Sequence, residues 1–176
     1  SITKLAHIHF PATEKSRDRL IKMGENPNYV FNTGCPAIDA ITGIDLCLNH
    51  INRSYGGVGS PIDWNKPYLL VLQHPITTDY RNSAKQVNET ISAIDKLKMQ
   101  TVWLWPNVDA GSDDISKALR TYRELKNPSF LHFYRNFSVE DYAKILANSA
   151  CAIGNSSSFI REGAYLGTPC VNIGQR

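Results

Sequence analysis

Residues 151–173 compress a strand, a polar turn, a short helix and a second strand into one unit, and that unit constrains how everything before it can fold. Cys151, Ala152 and Ile153 form an apolar strand, and the run Gly154-Asn155-Ser156-Ser157-Ser158 is small, polar and rich in helix-capping residue types. A helix is expected to begin there. It would turn Phe159, Ile160, Ala164 and Leu166 inward and end at Gly167, which suits a left-handed cap, with Pro169 blocking any continuation. Residues 170–173 then read as a second buried strand. The open end of such a βαβ unit is a helix N-terminus with unpaired N–H groups, which attracts anions. Serine hydroxyls beside those amides suit phosphate oxygens, and Glu162, expected on the first turn, could accept two hydroxyl hydrogens from a sugar. The same pattern describes an ordinary capped helix with an acidic residue favoured by the helix dipole, so spacing alone leaves both readings open.

Upstream, the periodicity alternates in the same way. Residues 67–73 are a continuous apolar run of the kind found in a parallel strand buried on both faces. A helix is expected over about residues 77–98, with Val87, Ile91, Ile94 and Leu97 at helical spacing, followed by a strand at 101–105. A helix carrying Ile115, Leu119 and Tyr122, a strand at 130–133 and a helix at 139–148 complete the series. This alternation predicts the α/β class, a doubly wound parallel sheet of Rossmann-like type. In such sheets ligands lie outside the carboxyl ends of the strands. Four loops with polar or ring-bearing residues should converge there, carrying His74, Asn107, Phe137 and the stretch from Asn155 to Glu162.

The first 44 residues read as further α/β structure. A helix end at 1–7, a short strand at 8–12, a helix capped by Thr13 and closed by Gly24, a strand at 29–33 and a helix at about 37–44 follow in order. Periodicity fades over residues 45–66, where Tyr55-Gly-Gly-Val-Gly-Ser-Pro61 reads as a linker or mobile loop. That glycine run lacks both the GxGxxG spacing and a Walker lysine, which argues against a phosphate cradle. His7, His9 and His132 have no partner at metal-ligand spacing and read as structural, while Trp103 and Trp105 share one strand face and read as core.

Composition removes several classes of function. The net charge of +3 is mild and the basic residues are scattered, which does not suit a nucleic-acid surface. No apolar stretch approaches the ~20 residues that span a bilayer, so no membrane partner is expected. The four cysteines, Cys35, Cys47, Cys151 and Cys170, form no CxxC pair. They point to a reducing, cytoplasmic setting, with Cys151 and Cys170 as small buried hydrophobes, and no cofactor or metal is implied. The chain starts at Ser1 apparently inside a helix and stops at Arg176 directly after a strand, which is the pattern expected of a fragment of a longer protein.

The order Gly-Asn-Ser-Ser-x-x-x-Arg-Glu-x-x-x-x-Gly-Thr-Pro-x-x-Asn-x-Gly-x-Arg over residues 154–176 resembles the nucleotide-binding segment of the UDP-N-acetylglucosamine 2-epimerases. It is most similar to the hydrolysing branch that makes N-acetylmannosamine for sialic acid synthesis. The non-hydrolysing branch tends to carry Asp-Ser-Gly-Gly where this chain has residues 155–158. Gln-His-Pro-x-Thr-Thr at 73–78 and Pro-Asn-Val-Asp-Ala-Gly-Ser at 106–112 resemble two further segments of the same family.

The resemblance implies a two-domain enzyme of the GT-B type. Residues 1–44 would be the tail of its N-terminal domain, 45–66 a linker, and 67–176 an incomplete C-terminal nucleotide-binding domain. It implies that His74 reaches the diphosphate as the catalytic donor and that Asn107 lies at the nucleotide. Phe137 would offer its backbone to uracil, Ser156 and Ser157 would hold phosphate, Glu162 the ribose hydroxyls, and Arg176 would return to the same edge. The implied partner is a UDP-sugar substrate, with homo-oligomerisation of the intact protein, and the carboxylates of the sugar chemistry would precede Ser1. A GT-B glycosyltransferase using a nucleotide-sugar donor, or a non-enzymatic nucleotide-sugar sensor, would share the sheet and the capped helix.

Overall fold

A computed structural model describes residues 2–51, 55–76 and 78–174, and the chain divides into two compact units, residues 1–42 and 43–176. The smaller unit holds helices α1 (Ile2–Leu5), α2 (Glu14–Lys22) and α3 (Pro36–Asp39). Helix α2 starts where its cap places it, with the Thr13 side chain accepting the Ser16 N–H at 3.2 Å. The two strands expected here reduce to a single parallel bridge between His9 and Val30. Pro11 lacks an N–H to extend the first run, and a 3₁₀ turn over Pro27–Tyr29, capped by Asn26, occupies the start of the second. His9 keeps a structural role through Glu25 at 3.1 Å.

The larger unit is a six-stranded sheet of β1 (Val58–Gly59), β2 (Leu69–Leu72), β3 (Thr101–Leu104), β4 (Leu131–Tyr134), β5 (Cys151–Gly154) and β6 (Cys170–Asn172). Their spatial order is β1-β4-β3-β2-β5-β6, with every pairing parallel except β1 on β4. Helices α4 (Ser83–Leu97) and α5 (Ser112–Lys126) cover one face, where Val87, Ile91, Ile94, Ile115 and Leu119 pack on Val71, Trp103 and Phe133. Helices α6 (Val139–Asn148) and α7 (Ser157–Leu166) cover the other, where Ile145, Leu146 and Phe159 pack on Leu70, Val102 and Ala152. Burial on both faces explains why β2 and β3 read as unbroken apolar runs. Trp105 stacks on Phe133 with ring centroids 5.2 Å apart, in keeping with its core reading.

The segment at 45–66 is built into this unit. Leu48, Ile51, Tyr55, Ile62 and Trp64 pack onto the sheet, and β1 forms its antiparallel edge. The glycines are there for close approach, not for mobility: a Cβ on Gly57 would stand 2.4 Å from His132 Nε2, and one on Gly59 would stand 2.3 Å from the Leu131 carbonyl. His132 is held by Ser60, whose carbonyl lies 2.9 Å from Nδ1.

Two expectations about the terminal unit need correction. Strand β6 is exposed along its length, because it lies at the edge and pairs only with β5 among the described residues; Cys170 is accordingly exposed. On α7 Phe159 and Leu166 pack inward as expected and Gly163 is buried beside them, while Ile160 and Ala164 face outward. The inward face runs through Phe159, Gly163 and Leu166 at helical spacing, which places Ile160 and Ala164 on the other side.

Candidate functional site

Strand order locates the site. Strand β2 lies between β3 and β5; the chain leaves β2 toward α4 on one face and leaves β5 toward α7 on the opposite face. The carboxyl ends of β2 and β5 therefore flank the crevice at which a doubly wound sheet reverses, the place where such folds bind ligands. A cavity of about 720 Å³ opens there, lined by His74 after β2, Asn107 and Asp109 after β3, and Asn155, Ser156 and Ser157 after β5.

Gly154 makes this junction possible. Its φ is +152°, and a Cβ would lie 1.9 Å from the Leu72 carbonyl oxygen and 3.2 Å from the Phe159 ring. Only a residue without a side chain lets the two strand ends run this close. Asn155 then joins them. Its Oδ1 accepts the His74 N–H at 2.7 Å, and its Nδ2 donates to the His74 carbonyl at 2.8 Å. This two-bond clasp holds the His74 backbone as a neighbouring strand would.

The His74 ring is oriented from the other side. The Asn107 N–H donates to His74 Nδ1 at 3.2 Å, so in the neutral ring the proton resides on Nε2. His74 is thereby fixed as a donor. Ser156 caps α7, with its Oγ accepting the Ser158 N–H at 3.3 Å, and is buried at the cavity wall. Ser157 is exposed, and its Oγ accepts from Arg161 at 3.2 Å. The result is a polar recess holding an imidazole donor, serine hydroxyls and the N-terminus of the ten-residue α7, an arrangement suited to phosphate oxygens.

Not every expected residue meets here. Phe137 follows β4, one strand beyond β3, and its ring packs in the core against Tyr55 and Tyr134 at 4.8 Å each. It lines a separate cavity of about 470 Å³ with Trp64 and His132. Glu162 does not line the main cavity, and it is not on the first turn of α7, because that helix begins at Ser157. The dipole account of Glu162 loses its footing there, since the effect fades beyond the first turn. Its side chain is 15% exposed and its Oε2 is buried with no hydrogen-bond partner among the described residues, 3.8 Å from Arg161 Nε. Arg176 lies outside the described residues.

The cavity also gathers Asp79 and Gln86, which sequence reading did not single out, together with Thr78 and Gly174 from the motifs at 73–78 and 154–176. Asp79 is tied locally, accepting from Asn82 at 2.7 Å and Gln86 at 2.9 Å. Thr78, Asp79 and Asn82 sit in the segment before α4, which starts at Ser83 rather than near residue 77, while Gln86 lies on α4 itself and Gly174 follows β6; Thr77 lies outside the described residues. Among the described residues no cluster of histidine, cysteine or acidic side chains could hold a metal ion, and no helix is long and apolar enough to cross a membrane.

Comparison with known proteins agrees with this architecture. The family model described as UDP-N-acetylglucosamine 2-epimerase matches residues 1–176. A UDP-N,N'-diacetylbacillosamine 2-epimerase (hydrolyzing) of Legionella pneumophila is 33% identical over all of this chain and 45% of its own length. A UDP-N-acetylglucosamine 2-epimerase of Neisseria meningitidis is 29% identical over all of this chain and 44% of its own. The chain thus spans a little under half the length of these relatives. Among solved structures, a UDP-GlcNAc 2-epimerase from Neisseria meningitidis bound to UDP-GlcNAc superposes with a TM-score of 0.74 at 16% identity, covering 99% of this chain and 46% of that one. The Methanocaldococcus jannaschii UDP-GlcNAc 2-epimerase, in complex with UDP-GlcNAc and UDP, gives 0.70 at 17% identity, covering 97% and 46%. With a family match along its whole length and a fold that superposes on these structures, this chain belongs to the UDP-N-acetylglucosamine 2-epimerase family.

Proposed function

We propose that this chain supplies the UDP-binding, C-terminal half of a hydrolysing UDP-N-acetylglucosamine 2-epimerase, which releases N-acetylmannosamine and UDP. The observation that carries the reading is the orientation of His74, whose Nδ1 accepts the Asn107 N–H and whose Nε2 is therefore the donor in a cavity beside the Ser156 cap. In the proposed reaction a base removes the C2 proton of the sugar and the C1–O bond breaks, its electron pair leaving on the diphosphate. Water then adds across the C1–C2 double bond, with hydroxyl to C1 and a proton to the opposite face of C2. His74 would donate to the departing diphosphate, where charge develops, and Ser156 and Ser157 would hold its oxygens. Asn107 would sit at the nucleotide.

Glu162, whose side chain keeps 15% exposure and whose Oε2 makes no hydrogen bond among the described residues, would take the ribose hydroxyls. Glu162→Ala in the full-length protein should weaken UDP binding by about 1.5–3 kcal/mol while leaving ligand-free thermal stability near the parent value. Calorimetric titration with UDP and a melting curve check both; unchanged UDP affinity would remove Glu162 from the site.

The decisive experiment incubates the full-length protein with UDP-N-acetylglucosamine and, separately, with UDP-N,N'-diacetylbacillosamine, and identifies the free sugars. Release of N-acetylmannosamine from the first supports the reading, exclusive turnover of the second moves the substrate, and binding without turnover indicates a sensor. The base and acid of the sugar chemistry would lie in the half of the relatives that this chain does not match. Residues 1–176 alone should therefore release no N-acetylmannosamine above a heat-killed control, and measurable release would overturn that division of labour.

A further inference from the structure

Tyr142, on α6, approaches the site through its hydroxyl. Its Oη lies 2.6 Å from Ser158 Oγ, and Ser158 Oγ lies 2.8 Å from Ser156 Oγ at the cavity wall. Three hydroxyls thus form a line from the α6–α7 interface to the recess. Each carries one proton and can accept two, and the arrangement in which both neighbours donate to Ser158 leaves the Ser158 proton with no acceptor among the described residues, so two coherent directions remain.

If protons point away from the cavity, Ser156 donates to Ser158, Ser158 donates to Tyr142, and the phenolic proton needs a further acceptor. Among the described residues Ser158 is its one hydrogen-bond partner, and a buried phenol without an acceptor is costly. Burial, with the Glu162 carboxylate nearby, pushes the phenol up to about 12, so that proton is retained at neutral pH. In the other direction Tyr142 donates to Ser158 and Ser158 donates to Ser156. Ser156 Oγ then also accepts the Ser158 N–H, and its acceptor capacity is filled. Its own proton can only be donated outward.

We propose that Tyr142 is a positioning residue that, through Ser158, polarises the Ser156 hydroxyl as a one-way donor to a phosphate oxygen in the cavity. The inference rests on the UDP reading above and adds to it a source of selectivity: the site would discriminate the diphosphate from its nucleoside by a hydroxyl with no freedom to turn round. Such a relay also disfavours ligands that present a donor at that point.

The test is calorimetric titration of the full-length protein with UDP and with uridine, for the parent, Tyr142→Phe, Ser158→Ala and the double variant. Tyr142→Phe keeps the ring in place and removes one hydroxyl. UDP affinity should fall about three- to tenfold in each single variant, with uridine affinity unchanged. The double variant should be no worse than the weaker single, because either change breaks the same line. Equal loss of UDP and uridine affinity would show a packing role only, and unchanged UDP affinity in Tyr142→Phe would overturn the proposal. Failure of the parent protein to bind UDP at all would instead overturn the UDP reading on which it rests.

Discussion

Replacing Gly154 by alanine is expected to destabilise the larger unit by several kcal/mol and to abolish UDP binding with it. The new Cβ would stand 1.9 Å from the Leu72 carbonyl oxygen, closer than any non-bonded carbon can approach oxygen, and Gly154 already holds a φ of +152° that side chains rarely adopt. Overpacking of this kind costs about 1–3 kcal/mol and an unfavourable backbone conformation about 1–3 kcal/mol more. Relief would have to come from separating β5 from β2, which pair from Leu69–Cys151 to Leu72–Gly154. That movement would also pull Asn155 away from His74. Against a typical stability of about 5–15 kcal/mol, a melting temperature lower by on the order of 10 °C is expected. A melting curve within about 2 °C of the parent would show that the strand ends part easily and that the clasp is not rigid.

His74→Ala in the full-length protein is expected to lower turnover about 100- to 1000-fold, the range seen when one donor to developing charge is removed, equivalent to ~2.7–4 kcal/mol. The fold should tolerate the change. The His74 backbone is held by Asn155, not by its own ring, and the Asn107 N–H released from Nδ1 is exposed to water. Ground-state UDP affinity should move much less than turnover, because the donor acts most strongly when charge accumulates on the leaving group. Steady-state kinetics together with UDP titration separates the two effects. Equal losses in affinity and in turnover per bound substrate would make His74 a binding residue only, and unchanged kinetics would return it to a structural role.

The parts of the molecule legible from sequence are those set by neighbours along the chain. Helix α6 spans 139–148 as its periodicity indicates, and α7 has Gly167 in the left-handed cap expected of it. Strands β2 to β5 fall where apolar runs end in turn-forming residues, and His74, Asn107 and Ser156 lie at their carboxyl ends. Capping, periodicity and turn chemistry are short-range effects, and a single chain displays them without knowledge of its partners.

Other features depended on which segments meet in space. The glycine run at 56–59 reads locally as a linker, yet Gly57 and Gly59 are required by the surface of β4, more than seventy residues later. Glu162 reads as a first-turn charge until the position of Ser156 places it beyond that turn, half-buried, with its Oε2 unpartnered in hydrogen bonding among the described residues.

The sequence by itself determined the α/β alternation, the capped helix after β5 and the polar strand ends, because backbone hydrogen bonding and side-chain periodicity are local. Only the tertiary structure decided the strand order β1-β4-β3-β2-β5-β6, and with it which of those strand ends share a crevice. Strand order is settled by burial between segments far apart in the chain, to which the local pattern of either segment is nearly blind. That is why His74, Asn107 and Ser156 converge, while Phe137, attached to a strand one place farther out, is held in a separate part of the core.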